Sequence, residues 1–176
     1  MTAAFIGLGA NIDNPVAQLM QATQLLAAIP KTTVTHRSAI YRSPPLGPQD
    51  QPDFFNACVK LVTQLSCDQL LAAMQGIEQT MGRVKHRRWG ERCIDLDLLI
   101  FGAEQRDTAI LKLPHPGIAQ RDFVLKPLRE LVDGGFIVPG STDIDTLMTR
   151  CRSRDALRTH YSLTPGSERE IGSDAK

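Results

Sequence analysis

At 176 residues, with 42% apolar and 22% charged side chains, the chain has the size and composition of one globular domain and is too short for two full-sized ones. Its 20 Lys+Arg against 19 Asp+Glu leave a formal net charge of +1, which argues against the broad basic footprint of a nucleic-acid-binding protein. The opening MTAAFIGLGANIDN has neither the basic start nor the long apolar run of a signal peptide or membrane span, and Cys58, Cys67, Cys93 and Cys151 form no zinc-type cluster, so a cytoplasmic protein with reduced thiols is expected.

Ala3 to Leu8 reads as a short buried strand running into Gly9, Ala10 and Asn11. Gly7 and Gly9 lack the third glycine of a dinucleotide fingerprint, and no Lys-Thr pair completes a phosphate loop, which disfavours both nucleotide folds. Asn14-Pro15 is a helix start, and Val16, Leu19, Met20, Thr23, Leu26 and Ala27 keep the helical period as far as Pro30. Thr32 to Arg42 and Ala57 to Thr63 read as strands.

Between those strands lies SPPLGPQDQPDFFN, residues 43–56, with four of the chain's 11 prolines. Such a stiffened loop is either a binding wall or a plain connector whose aromatics tuck into the core. As a wall, its backbone from Ser43 to Gly47 would read a ligand's edge, Phe54 or Phe55 would offer a flat face, and Asn56 an amide. Ser66 to Gln69 fits a capping box opening a helix as far as Gly82, with Leu70, Leu71, Met74, Ile77 and Met81 on its buried side. Gln75 and Glu78 share another side, either as nucleotide contacts or as ordinary surface polars.

The stretch GRVKHRRWGERCIDLDLLIFG, residues 82–102, carries most of the chemistry. Arg83, Lys85, Arg87, Arg88 and Arg92 fit phosphate oxygens, and Trp89 could close over a nucleotide. In the strand that follows, Asp95 and Asp97 point one way while Ile94, Leu96, Leu98 and Ile100 point the other. The aspartate face continues into Leu99 and Phe101, which puts the two carboxylates at the rim of buried cover. Paired carboxylates there suit a hard cation such as Mg²⁺ that keeps room for water and phosphate. Each half alone has a bland reading, solvated acids or a solvated basic loop; side by side they describe phosphoryl chemistry on a polyphosphate.

Gly102 to Arg106 reads as a turn. In LPHPGIAQRDFVLKPL, residues 113–128, His115 sits in an extended segment between prolines, either donating to a phosphate or playing a structural part, while Arg121 adds a guanidinium and Phe123 a second flat face. Pro127 is expected to start a short helix through Leu128, Leu131 and Val132, and Thr142 to cap a last one carrying Ile144, Leu147 and Met148. Residues 1–161 are read as one domain and 162–176 as a disordered tail.

These strings, LGAN at 8–11, SPPLGPQDQPDFFNA at 43–57, RWGERCIDLDLLIFG at 88–102 and PHPGIAQRDFVLKPL at 114–128, together resemble the 6-hydroxymethyl-7,8-dihydropterin pyrophosphokinases of folate biosynthesis, across roughly residues 1–133. The resemblance implies a ferredoxin-like α+β fold, three layers α-β-α with a mainly antiparallel sheet. It implies transfer of pyrophosphate from MgATP to the pterin's hydroxymethyl oxygen, releasing AMP. A monomer acting on small molecules, without nucleic acid or membrane, is expected.

Carried over, Asp95 and Asp97 would ligate two Mg²⁺ ions, and Arg83 and Arg92 would neutralise the phosphates. Ser43, Pro44, Leu46, Gly47, Phe54, Asn56 and Phe123 would bind the pterin between the two rings. Gln75, Glu78, Lys85, Arg88, Trp89, Leu98, His115 and Arg121, with both arginines, would contact the nucleotide. No side chain stands out as general base, so a metal, a solvent molecule or Asp97 is expected to help remove the hydroxyl proton. The chain departs from the pattern at Ala10, where many members have serine, in a shorter segment between Arg83 and Trp89, and at Ile110 and Lys112, which puts some nucleotide contacts in question. A simple kinase releasing ADP, or a nucleic-acid module, are the competing readings.

Overall fold

The computed structural model describes residues 1–83 and 90–164. In chain order its elements are β1 (Thr2–Ala10), α1 (Pro15–Ala27), β2 (Thr32–Arg37), β3 (Ala39–Ser43), β4 (Phe54–Thr63), α2 (Cys67–Thr80), β5 (Asp95–Phe101), β6 (Arg106–Asp107), β7 (Lys112–Leu113), α3 (Asp122–Arg129), α4 (Ile144–Arg150) and β8 (Leu157–Ser162). The main sheet runs β5-β1-β4-β3-β8 with β2 also on β4, every pairing antiparallel. With β2 and β3 counted as one interrupted strand, the β-α-β-β-α-β order from β1 to β5 is that of the ferredoxin-like fold.

Helices α1 and α2 cover one face of the sheet. There Leu19, Leu26, Leu70 and Met74 pack on Ile6, Leu8, Leu61, Leu96 and Leu98. Helices α3 and α4 cover the other, where Leu125, Leu128, Ile144 and Leu147 pack on Phe5, Cys58, Leu99 and Ile100. Each such buried aliphatic contributes about 1.5–3 kcal/mol, so the three layers hold without a disulfide; all four cysteines are free and buried.

Two of the four predicted helix starts are built as the local chemistry asks. Asn14 caps α1 by accepting from Ala17 N, and Ser66 and Gln69 form the reciprocal capping box of α2. Elsewhere the chain corrects the sequence reading. The strand expected over 32–42 is two, because Ser38 interrupts it: its hydroxyl accepts the Cys58 N–H at 2.9 Å and donates to Ala39 O at 2.7 Å. Helix α3 starts at Asp122, with Pro127 inside it, where the sequence reading started a helix at Pro127. The α4 cap is Asp143, one residue after Thr142; it accepts from Thr146 N at 2.8 Å. The expected tail from Ser162 is in part structured: β8 pairs with β3 through Ser162, and Leu163 is buried in the core.

One correction bears on the site. Between Phe5 and Ile6 the register of β1 on β5 shifts, pairing Phe5 with Ile100 and Ile6 with Leu98. Leu99 is the extra residue, so Leu99 and Ile100 both face α3, and Phe101 turns to the α1/α2 core rather than continuing the aspartate face. A bulge of this kind re-aims one end of a strand.

Candidate active site

Strands β1, β4 and β5 converge on an open cleft on the α3 side of the sheet. Its volume is about 770 Å³ counted to the open mouth, and Ser43, Pro44, Leu46, Gly47, Phe54, Asn56, Arg92, Asp95, Asp97, Arg121 and Phe123 line it. Eleven of the residues named from sequence are therefore neighbours in space, drawn from the proline-rich loop, β4, β5 and the segment before it, and the start of α3.

The floor of the cleft is bare backbone. Gly7 and Gly9 lie on the same face of β1, beside Asp97 and Asp95 on one side and Cys58 and Asn56 on the other. A methyl at Gly9 would come 3.2 Å from Asn56 Oδ1, and one at Gly7 would touch Leu99 at 3.4 Å. The sequence reading tested these glycines against nucleotide fingerprints and found no role for them; the signal it passed over is their spacing of two on one strand face.

On the acidic side, Asp95 is held by two guanidinium groups: Arg83 Nη2 lies 2.6 Å from Oδ1, and Arg92 Nη1 pairs with Oδ2. Arg83 also pairs with Glu78, whose Oε1 accepts the Leu96 N–H at 2.7 Å. Burial raises the Glu78 carboxyl, while the Leu96 N–H and Arg83 oppose it. Among the described residues Asp97 has no such direct partner, and burial, then the Asp95 charge, push its carboxyl up to about 7 against the pull of Arg121 and Arg83. A carboxylate under that pressure marks a place where positive charge would be welcome.

On the ring side, Asn56 is buried and donates Nδ2 to Ser43 Oγ at 2.9 Å, which fixes the orientation of its amide. The Arg92 guanidinium lies 5.8 Å from the Phe54 ring centre and that of Arg121 lies 6.0 Å from Phe123. Each proposed ring wall thus carries an arginine toward the acids.

The other named residues are placed differently. Glu78 is buried behind Asp95, whereas Gln75 on the same helix is exposed. The Leu98 side chain lies in the α1/α2 core, facing away from the cleft. His115 is anchored by its N–H to Leu99 O at 2.9 Å and accepts the Gly117 N–H on Nδ1 at 3.1 Å; burial and then Arg121 lower its pKa, which favours the neutral ring. Lys85, Arg88 and Trp89 lie outside the described residues. Of the departures, Ala10 is fully buried, Ile110 is exposed, and Lys112 pairs with Asp107 at 2.6 Å.

Two residues without a sequence-assigned role tie the halves of the site together. The buried Asn11 donates Nδ2 to Gln51 Oε1 and to Pro52 O, both at 3.0 Å, and accepts the Arg92 N–H on Oδ1 at 2.9 Å.

The sequence model of the 7,8-dihydro-6-hydroxymethylpterin-pyrophosphokinase (HPPK) family matches residues 5–133. The chain belongs to this family. It is similar to relatives called 2-amino-4-hydroxy-6-hydroxymethyldihydropteridine pyrophosphokinase: 43% identical over 148 residues to that of Haemophilus influenzae, covering 84% of this chain and 92% of the relative. That of Methylorubrum extorquens is 44% identical over 142 residues, covering 81% and 89%, and that of Bacillus subtilis 43% over 128 residues, covering 73% and 77%. Among solved structures, the Plasmodium falciparum HPPK-DHPS superposes with a TM-score of 0.64 at 12% identity, over 85% of this chain and 45% of that one. The chain therefore spans less than half of that protein, and at such identity the likeness is one of HPPK fold.

Proposed function

We propose that the cleft is where a pterin and the phosphates of ATP meet, and that the chain transfers an intact pyrophosphoryl group between them. As an HPPK, it acts on 6-hydroxymethyl-7,8-dihydropterin in folate biosynthesis. The hydroxymethyl oxygen attacks the β-phosphorus of ATP, the bond from that phosphorus to the α–β bridging oxygen breaks, and AMP leaves while the hydroxyl proton is lost.

The observation that carries this reading is the joining, in one cleft, of a slot between Phe54 and Phe123 with an acid pair flanked by arginines. A flat heteroaromatic gains from two aromatic walls and needs few polar groups to orient it. Asn56, set by Ser43, reads its polar edge, with the backbone of the Ser43–Gly47 stretch beside it.

Asp95 and Asp97 offer hard oxygen donors, and among the described residues no group of three or more His, Cys, Asp or Glu side chains gathers to cage a metal. Two carboxylates completed by phosphate oxygens and water fit Mg²⁺, and the pressure on Asp97 fits it too; two ions are proposed. Bound there, Mg²⁺ supplies neutralisation of the phosphate charge that develops in transfer. Asp95 and Asp97 would hold the cation, and Arg83 and Arg92, both paired with Asp95, present guanidinium forks that suit the phosphate oxygens beside it. His115 and Arg121 stand on the nucleotide side, Glu78 holds Arg83 in place, and Gln75 and the backbone of Leu98 are assigned to the nucleotide with Lys85, Arg88 and Trp89.

The protein is proposed to act as a cytosolic monomer; among the described residues no helix is long and apolar enough to cross a membrane, and the four thiols are free. The ring slot is tested by titrating pterin and ATP separately into the parent and Phe123→Ala. Loss of pterin affinity with ATP affinity kept supports the slot, and equal losses contradict it.

A further inference from the structure

A polar cluster at the start of α3 takes no part in the chemistry above, yet it stands directly behind the ring slot. Asp122 is 1% exposed and lies between the site residues Arg121 and Phe123. Its carboxylate accepts from Ser153 Oγ at 2.6 Å and from the Ala156 N–H at 2.8 Å, and lies 3.1 Å from Lys126 Nζ one turn along the helix. Lys126 also donates to the Ala156 carbonyl at 2.6 Å. An Asp–Lys pair on α3 therefore grips both backbone polar groups of one residue in a segment that lies beyond the family match at 133.

That residue is part of the bed on which Phe123 rests. Ala156 is buried and forms with Ala39 and Tyr41 a small cluster against which Phe123 packs. The far end of α3 is tied to the same corner: Glu130 accepts from Ala39 N at 2.8 Å, Tyr41 Oη at 2.7 Å and Arg158 Nε at 3.1 Å. Phe123 is thus set by contacts behind it that never touch the cleft.

We propose that Asp122, acting with Lys126 through Ala156, is a positioning residue that fixes where Phe123 stands and so sets the width of the ring slot. Ring-on-ring contact is sensitive to spacing: a gap of about 0.5–1 Å forfeits roughly a quarter to a half of each dispersion contact. A clamp made of charge-assisted hydrogen bonds in a buried place is stiff, because each broken member leaves a polar group unpaired. The proposal rests on the reading that the pterin lies between Phe54 and Phe123.

The test is steady-state kinetics on the full chain for Ser153→Ala, Lys126→Met and Asp122→Asn, with Phe123→Ala as reference and the Tm of each alongside. Ser153→Ala removes one prong and Lys126→Met the two that Lys126 makes, while each leaves Asp122 on the Ala156 N–H, so they keep the fold even where Asp122→Asn loses it. They should raise the KM for the pterin about three- to tenfold, the equivalent of one hydrogen bond, with kcat and the KM for ATP within about twofold. Ser153→Thr, which keeps the hydroxyl, should restore the parent value. A lower Tm with both KM values unchanged, or an equal rise in both, overturns the proposal. If Phe123→Ala itself leaves the pterin KM unchanged, the slot reading falls and takes the clamp with it; if Phe123→Ala raises it and Ser153→Ala and Lys126→Met do not, the clamp alone falls.

Discussion

Asn11 and Arg92 are joined by two hydrogen bonds, Asn11 N to Arg92 O at 3.1 Å and Arg92 N to Asn11 Oδ1 at 2.9 Å. The same asparagine spends its Nδ2 on the proline-rich loop through Gln51 and Pro52, so one buried amide holds both the ring wall and the phosphate-side arginine. Asn11→Asp keeps an acceptor for the Arg92 N–H and loses the donor to the loop. It should therefore raise the KM for the pterin more than that for ATP. Asn11→Ala should lose both and cost about 1–3 kcal/mol of stability in urea unfolding, the usual penalty for stranding buried polar partners. Equal, near-parent kinetics for both variants would contradict this role.

Asp97 sets a second expectation, with its sign fixed by linkage. Its carboxyl titrates above the ordinary 3.8, up to about 7, so in that window the folded chain holds a proton that the unfolded chain has released. The stability it contributes is whole below that window and is lost as pH rises through it. Without metal, Asp97→Asn should therefore melt higher than the parent at pH 8, and the difference should fade toward pH 4. Added Mg²⁺ should raise the Tm of the parent and not of the variant, while turnover of the variant falls by about 10²-fold or more. A Tm order that ignores both pH and Mg²⁺ would show that Asp97 is not a cation site.

The glycines give a matched pair. Gly9 has Asn56 Oδ1 3.2 Å from where a methyl would stand, whereas Gly76 in α2 has nothing within 4 Å. Gly9→Val should cripple pterin binding by filling the cleft floor and displacing the Asn56 amide. Gly76→Ala should leave activity alone and stabilise the helix by about 0.5–1 kcal/mol, read by chemical denaturation.

What the sequence made legible follows from how local each signal is. The caps at Asn14 and Ser66 and the alternation at Asp95 and Asp97 depend on neighbours a few residues away, whereas the choice of Phe54 over Phe55 as the partner of Phe123 rests on the family resemblance. The break at Ser38 and the bulge at Leu99 depend on what β4 and β1 present opposite them, which a single strand does not reveal. Glu78 reads in the sequence either as a nucleotide contact or as a surface polar; its burial under Arg83 and the Leu96 N–H is set by β5, 17 or more residues on. Likewise β8 pairs across the sheet with β3, more than a hundred positions away, and Leu157 and Tyr161 stay largely exposed on it, so no apolar pattern announced it. Asn11 and Gln51 acquire their part only when the loop and β5 are brought together.

The most direct test of the account is a product assay on the purified protein with MgATP, with and without 6-hydroxymethyl-7,8-dihydropterin, separating AMP from ADP. Pyrophosphoryl transfer predicts AMP formed only when the pterin is present, in equal amount to the pterin diphosphate. Pterin-dependent ADP would contradict the account by showing transfer of a single phosphoryl group, and a lack of turnover would contradict it outright.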